Sequence, residues 1–141
     1  MSLLKVLIIE DDPDHSKTVV DILKNEATSF SPALGEIEFF QAPTIDDAIT
    51  GFTRLRPELA IVDVRLDSDS EAGFKFIEST KKIYPDCSFL IMTGFPGERT
   101  AERATKTGVT HLLIKPYDPQ LLIKTVFSLL ETAHSSFQNQ V

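Results

Sequence analysis

Leu59-Ala60-Ile61-Val62-Asp63-Val64-Arg65-Leu66 runs four apolar residues, partly β-branched, without a break into a carboxylate. The run reads as a buried strand that delivers Asp63 to its C-terminal edge. An acid beside a hydrophobic run either ends the strand at the solvent boundary or sits in a charged pocket with a cation to neutralise it. Taken alone, Asp63 also reads as a turn residue, because Asp is common in turns. The other strands decide between these readings.

Upstream, Lys5-Val6-Leu7-Ile8-Ile9 is a second apolar run and ends in Glu10-Asp11-Asp12. Asp12-Pro13 reads as a helix N-cap with proline at the first helical position, followed by Val19, Val20, Leu23 and Ala27 at helical spacing. From Asn25 to Glu36, Ser, Pro and Gly break the periodicity, which predicts a loop longer than usual, an insertion. Ile37-Glu38-Phe39-Phe40 reads as a short strand. Thr44 then caps a helix whose Ala48, Ile49, Phe52 and Leu55 face inward and which Pro57 closes.

Downstream of Asp63, the acidic loop Asp67-Ser68-Asp69-Ser70-Glu71 leads to a helix from about Ala72 to Ile83, burying Phe74, Ile77 and Ile83. Ser88-Phe89-Leu90-Ile91-Met92 is a fourth strand ending in Thr93-Gly94. A polar helix over Gly97 to Thr107 follows, with Gly108 as C-cap. His111-Leu112-Leu113-Ile114 is a fifth strand ending in Lys115-Pro116. Asp118-Pro119 repeats the earlier cap before a helix burying Leu122, Val126, Leu129, Leu130 and Ala133, and beyond His134 the polar tail is expected to fray.

The chain of 141 residues is one domain's worth, with a leader over about residues 1–4 and a frayed tail over about 135–141. No apolar run approaches membrane-spanning length and no secretory signal is visible, so the expected location is the cytoplasm. A single cysteine, Cys87, fits a reducing compartment and reads as filler near a strand start. A net charge of −7 argues against a direct nucleic-acid surface, which needs clustered Lys and Arg.

Five short strands alternating with five helices predict an α/β fold, a doubly wound parallel sheet covered on both faces. In such sheets the ligand crevice lies at the carboxyl ends of the strands. Glu10, Asp11, Asp63, Thr93 and Lys115 all fall at such ends. Gathered carboxylates repel one another unless a cation compensates, and Mg²⁺ is suited to oxygen ligands while leaving room for phosphate oxygens. Asp63 could then act as a carboxylate nucleophile on phosphorus, with the metal, Thr93 and Lys115 offsetting charge on the phosphoryl oxygens.

Ile9-Glu10-Asp11-Asp12, Val62-Asp63, Met92-Thr93-Gly94 and Ile114-Lys115-Pro116-Tyr117, in this order within five βα units, resemble the receiver domain of two-component response regulators. The resemblance covers the whole chain. It implies the flavodoxin-like strand order 2-1-3-4-5 and makes Asp63 the phospho-acceptor for a histidine kinase or histidine phosphotransfer protein. It implies Asp11 as a direct Mg²⁺ ligand, Glu10 as a ligand through water, and the backbone carbonyl of Arg65 as a further contact beside Asp63. Asp12 is then mainly a cap. Thr93 is expected to bind a phosphoryl oxygen, Lys115 to pair with the acids and then the phosphoryl group, and Gly94 to keep the approach open. The Lys115-Pro116 bond is expected to be cis.

The sequence departs from the family at several points. Receivers usually carry an aromatic three residues before the lysine, and Leu112 stands there; Asp67 replaces a common proline, and the loop before Gly73 is about two residues longer. Arg65 and Phe95 occupy positions that bear on the lifetime of the phosphorylated state. His15, His111 and His134 share no spacing that suggests a metal site or a base and read as structural or exposed.

The expected function is a phosphorylation-controlled switch rather than a turnover enzyme, signalling to an output domain or effector, with a homodimer through the fourth helix, fifth strand and fifth helix as a further expectation. Neither nucleic acid nor membrane is expected as a direct partner. The alternative is a receiver-like module that binds partners without a phosphorylation cycle. An aspartyl phosphatase usually carries a second acid two residues after the nucleophile, where Arg65 stands, and a flavin protein would need a phosphate-cradling loop after strand one.

Overall fold

The computed structural model describes residues 3–30, 34–66, 69, 71–94, 98–109 and 111–139. The elements alternate as β1 (Leu3–Ile9), α1 (Pro13–Phe30), β2 (Glu36–Ala42), α2 (Ile45–Leu55), β3 (Leu59–Asp63), α3 (Ala72–Ile83), β4 (Ser88–Thr93), α4 (Glu98–Thr107), β5 (Leu112–Ile114) and α5 (Pro119–Asn139). One parallel five-stranded sheet forms in the order β2-β1-β3-β4-β5, the expected doubly wound arrangement. Parallel neighbours need crossovers, and each of these is a helix.

Side-chain alternation along each strand divides the core in two. Val6 and Ile8 of β1, Leu59 and Ile61 of β3, and Leu113 of β5 pack under α1 and α5 with Val19, Leu23, Leu122, Val126 and Phe127. Leu7, Ile9, Ala60, Val62 and Ile91 point the other way, onto Phe52 of α2 and Phe74, Phe76 and Ile77 of α3. The Phe52 ring stacks on Phe89 at 6.0 Å between centroids and meets Phe76 edge-on at 5.6 Å. Burying one such ring is worth about 2–3 kcal/mol. The same alternation carries through the strand ends. Glu10 continues the Val6, Ile8 series, Asp63 the Leu59, Ile61 series, and Lys115 follows Leu113, so all three extend one face of the sheet.

Helix entries follow local chemistry. Asp12 Oδ1 accepts from the N–H groups of Asp14 (3.0 Å) and His15 (3.3 Å), Thr44 Oγ1 from Asp47 N–H at 3.1 Å, and Asp118 Oδ1 from Gln120 N–H at 2.9 Å. Each satisfies donors that the first helical turn leaves open. Gly108 has φ +79°, as its C-cap place requires.

Several boundaries differ from expectation. Leu3 and Leu4 belong to β1 rather than to a leader: they pair with Glu36 and Ile37, and Leu4 is buried. α1 continues to Phe30, past Asn25, because Ala27 still packs on the core; only residues 31–33 of the expected loop lie outside the described residues. α5 likewise remains helical to Asn139, beyond His134. Ile49 and Ile83 were expected inside but are 53% and 69% exposed. They line a groove between α2 and α3 together with Phe52, Phe76 and Tyr84, although their helical spacing alone points them inward. Gly97, expected to start the fourth helix, and most of the acidic loop at 67–70 lie outside the described residues.

Candidate functional site

The register of the sheet assembles the site. β1 and β3 pair as Ile8↔Ile61 and Ile9↔Val62, which puts Glu10 and Asp63 next in line. β4 and β5 pair as Thr93↔Ile114, and Lys115 N–H donates to the Thr93 carbonyl at 2.7 Å. Lys115 therefore reaches back across the strand ends from the far side. Its Nζ donates to Asp63 Oδ2 at 2.8 Å and to Glu10 Oε1 at 3.1 Å. The Lys115-Pro116 peptide bond is cis, as expected.

Asp63 is held on both oxygens, since Oδ1 accepts from Arg65 N–H at 3.0 Å. A cavity of about 430 Å³ opens here, with Glu10, Asp11 and Asp63 on its acidic side and Lys115 opposite. Asp12, His15, Arg65 and Gly94 also line it. One carboxylate oxygen from each of Glu10, Asp11 and Asp63 lies within 4.8 Å of the others, a hard-oxygen donor set that suits a divalent cation. Thr93 is buried at the end of β4 and is not among the residues that line the cavity. Glu10, Asp11, Asp63, Arg65, Gly94 and Lys115 thus line one cavity at the edge of the sheet, whereas Phe95 lies outside the described residues.

The two buried acids respond to that crowding in opposite ways. Burial pushes the Asp63 carboxyl up, the neighbouring Glu10 adds to the push, and Lys115 and Arg65 N–H oppose it; the net value rises to about 6. Burial also pushes Glu10 up, but hydrogen bonding to His15 and Asp63 and the Lys115 charge outweigh it and hold Glu10 low. Lys115 is raised against its burial by the two carboxylates and stays an ammonium.

His15 is the residue that sequence reasoning missed. Its Nδ1 meets Glu10 Oε1 and its Nε2 lies 2.9 Å from the Tyr117 hydroxyl. The three histidines share no spacing that suggests a metal site or a base, which leaves His15 reading as structural or exposed. The usable signal lies elsewhere: a histidine in the first turn after Asp12-Pro13, directly above a strand that ends in acid.

A five-stranded doubly wound sheet with three acids and a lysine at its carboxyl edge places this chain among the α/β domains whose ligand crevice lies at the strand ends. The sequence pattern of the response regulator receiver domain matches residues 6–127, and the chain belongs to that family. The nitrogen assimilation regulatory protein NtrX of Azorhizobium caulinodans is 27% identical over 127 residues, 90% of this chain and 26% of that protein. The photosynthetic apparatus regulatory protein RegA of Rhodovulum sulfidophilum is 27% identical, covering 80% of this chain and 56% of its own. The chain thus spans between about a quarter and just over half of these relatives. Among solved structures, a CheY-like receiver domain protein from Methanospirillum hungatei superposes with a TM-score of 0.78 at 24% identity, over 96% of this chain and 99% of that one. NtrX from Brucella abortus gives 0.78 at 23% identity, over 99% of this chain and 29% of that one. Among the described residues, no helix is long and apolar enough to cross a membrane.

Proposed function

We propose that Asp63 is a phospho-acceptor and that residues 1–141 form one receiver unit of a two-component system. The observation that carries this reading is the Asp63 carboxylate at the end of β3, bound by Lys115 at 2.8 Å and grouped with Glu10 and Asp11. A carboxylate oxygen of Asp63 attacks the phosphorus of a phosphohistidine. The P–N bond breaks, its electron pair stays on the imidazole nitrogen, which takes up a proton from solvent, and an acyl phosphate remains on Asp63. The raised pKa of Asp63 reflects a desolvated, crowded carboxylate, which gains from a partner that spreads its charge.

Glu10, Asp11, Asp63 and the backbone carbonyl of Arg65 would hold Mg²⁺, with Glu10 acting through water; the ion, when bound, neutralises charge on the acids and the incoming phosphoryl oxygens. Lys115 exchanges a carboxylate for a phosphoryl oxygen, and the Thr93 hydroxyl binds another. That exchange biases a two-state equilibrium whose output face includes α4, β5 and α5. With Leu112 in the usual aromatic place, the readout at β5 differs from the family's common one. The partners are a histidine kinase or phosphotransfer protein on the input side and an output domain or effector on the other, in the cytoplasm, with a homodimer through α4, β5 and α5 as one form of output.

The test is transfer from a radiolabelled phosphohistidine donor in the presence of Mg²⁺. Label should move to the wild-type chain and not to Asp63→Asn. Label retained on Asp63→Asn would remove Asp63 from the role.

A further inference from the structure

The His15 contacts form a chain with one chemical direction. An ionised Glu10 can only accept hydrogen bonds, so the ring nitrogen facing it, Nδ1, carries the proton. In the neutral ring Nε2 then accepts, and the Tyr117 hydroxyl donates to it at 2.9 Å. Burial and the nearby Glu10 raise the Tyr117 hydroxyl against the opposing charge of Lys115, which keeps its proton in place for that donation. With the ring neutral, Tyr117 donates to His15 and His15 to Glu10, while Lys115 donates to the same Glu10 oxygen and to Asp63. Such a chain polarises along its length.

The α1 cap holds the backbone of His15, whose N–H donates to Asp12 Oδ1 at 3.3 Å. The two nitrogens are engaged as above, and the Tyr117 ring lies against the imidazole at 5.8 Å between centroids, tilted by 56°. Glu10 Oε1 is consequently shared between a donor that belongs to the α1 entry and one, Lys115, that belongs to β5. When Lys115 turns toward a phosphoryl group, His15 is the side-chain donor that remains on Glu10.

We propose that His15 is a positioning residue: it orients the Glu10 carboxylate for the cation and, through Tyr117, ties that carboxylate to the segment joining β5 to α5. This deepens the phospho-acceptor reading and rests on it. Groups that orient metal-binding carboxylates and imidazoles typically change cation affinity by 10–100-fold when removed. The tie also gives β5 and α5 a contact with the acid pocket that does not pass through residue 112.

The test measures Asp63 labelling by a small acyl-phosphate donor as a function of Mg²⁺ concentration, with Mg²⁺ binding followed in parallel by calorimetry. His15→Leu fills much of the ring's space and cannot hydrogen-bond. Its half-saturating Mg²⁺ should rise by about tenfold, a larger change than in the labelling plateau. His15→Gln keeps a donor for Glu10 and an acceptor for Tyr117 and should recover most of the affinity. Tyr117→Phe should shift it in the same direction as His15→Leu by a smaller factor, and should add little once His15 is Leu. A merely structural histidine would lower the melting temperature in both His15 variants without this split between Leu and Gln. Wild-type labelling with unchanged Mg²⁺ dependence in His15→Leu overturns the positioning role alone. A wild-type chain that takes no phosphate overturns the phospho-acceptor reading, and the role of His15 with it.

Discussion

The two strand ends that flank the cavity are built differently. After β3 the chain is packed shut. Val64 and Leu66 are buried, Val64 N–H donates to the Met92 carbonyl at 3.2 Å, and Gly73 N–H returns to the Val64 carbonyl at 2.9 Å. A Cβ on Gly73 would stand 2.5 Å from Val64 Cα and 2.7 Å from the Asp63 carbonyl. Arg103 of α4 closes the outside, bonding Glu71 at 2.8 Å and Glu78 at 2.6 Å with its guanidinium 5.3 Å from the Phe74 ring centroid. After β4 the reverse holds: Gly94 is exposed, and no atom of the described residues lies within 4 Å of a Cβ added there. One wall holds Asp63 by backbone packed on backbone, while among the described residues nothing stands against Gly94 on the other side.

Substitution at the two glycines tests this contrast most strongly. Gly73→Ala forces backbone apart at the Asp63 wall and should cost about 2–3 kcal/mol or more by denaturant unfolding, with loss of labelling at Asp63. Gly94→Ala should stay within about 0.5 kcal/mol of wild type, since its methyl meets nothing described. Equal costs at the two positions would remove the distinction between a fixed and an open side.

Lys115→Ala removes the cation facing both acids. Stability without divalent cation should fall by about 1–2 kcal/mol, because two buried carboxylates are left opposed. Labelled Lys115→Ala should bind Mg²⁺ yet show a weakened conformational response, read as the change in hydrogen exchange across β5 and α5 on phosphorylation. An unchanged response would take Lys115 out of the coupling.

Asp63→Asn sharpens the comparison from the other side. The folded-state pKa of Asp63 lies above its ordinary value, at about 6, so its ionised form weighs against the fold at neutral pH and protonation relieves it. Without divalent cation, Asp63→Asn should melt a few degrees above wild type at pH 7.5. The gap should narrow as pH falls through about 6 toward 4, where the wild-type acid takes up its proton. A gap that widens on acidification would reverse the assigned sign.

The smallest effect is expected at Cys87, at the edge of the core beneath α2 and α3. Burial and the nearby Glu58 raise its thiol to about 12, against a backbone hydrogen bond from Ala60. Alkylating reagents at pH 8 should leave it unmodified in the native protein and modify it fully in denaturant. Rapid native labelling would show that this face opens.

Much of this was legible in the residues. Continuous apolar runs that end in acid, hydroxyl or lysine fix both the strands and the edge to which they deliver Glu10, Asp63, Thr93 and Lys115, since period-two alternation needs no tertiary knowledge. Asp12-Pro13, Thr44 and Asp118-Pro119 likewise announced their helices through local hydrogen bonds. What failed depends on distant packing. Helical spacing points Ile49 and Ile83 inward but does not say that an open groove between α2 and α3 leaves them exposed. Ser and Thr after Asn25 weaken the pattern of α1 without ending it, because Ala27 still finds the core. His15 meets a tyrosine 102 residues away, a pairing that only the closed sheet creates.

The most direct measurement is the intact mass of the protein after incubation with Mg²⁺ and a small acyl-phosphate donor, beside a chelated sample and Asp63→Asn. The account predicts a gain of one phosphoryl group in the wild-type chain with Mg²⁺ and none in either control. A gain that persists in Asp63→Asn, or no gain in the wild type with this donor and with a phosphohistidine donor, would contradict it.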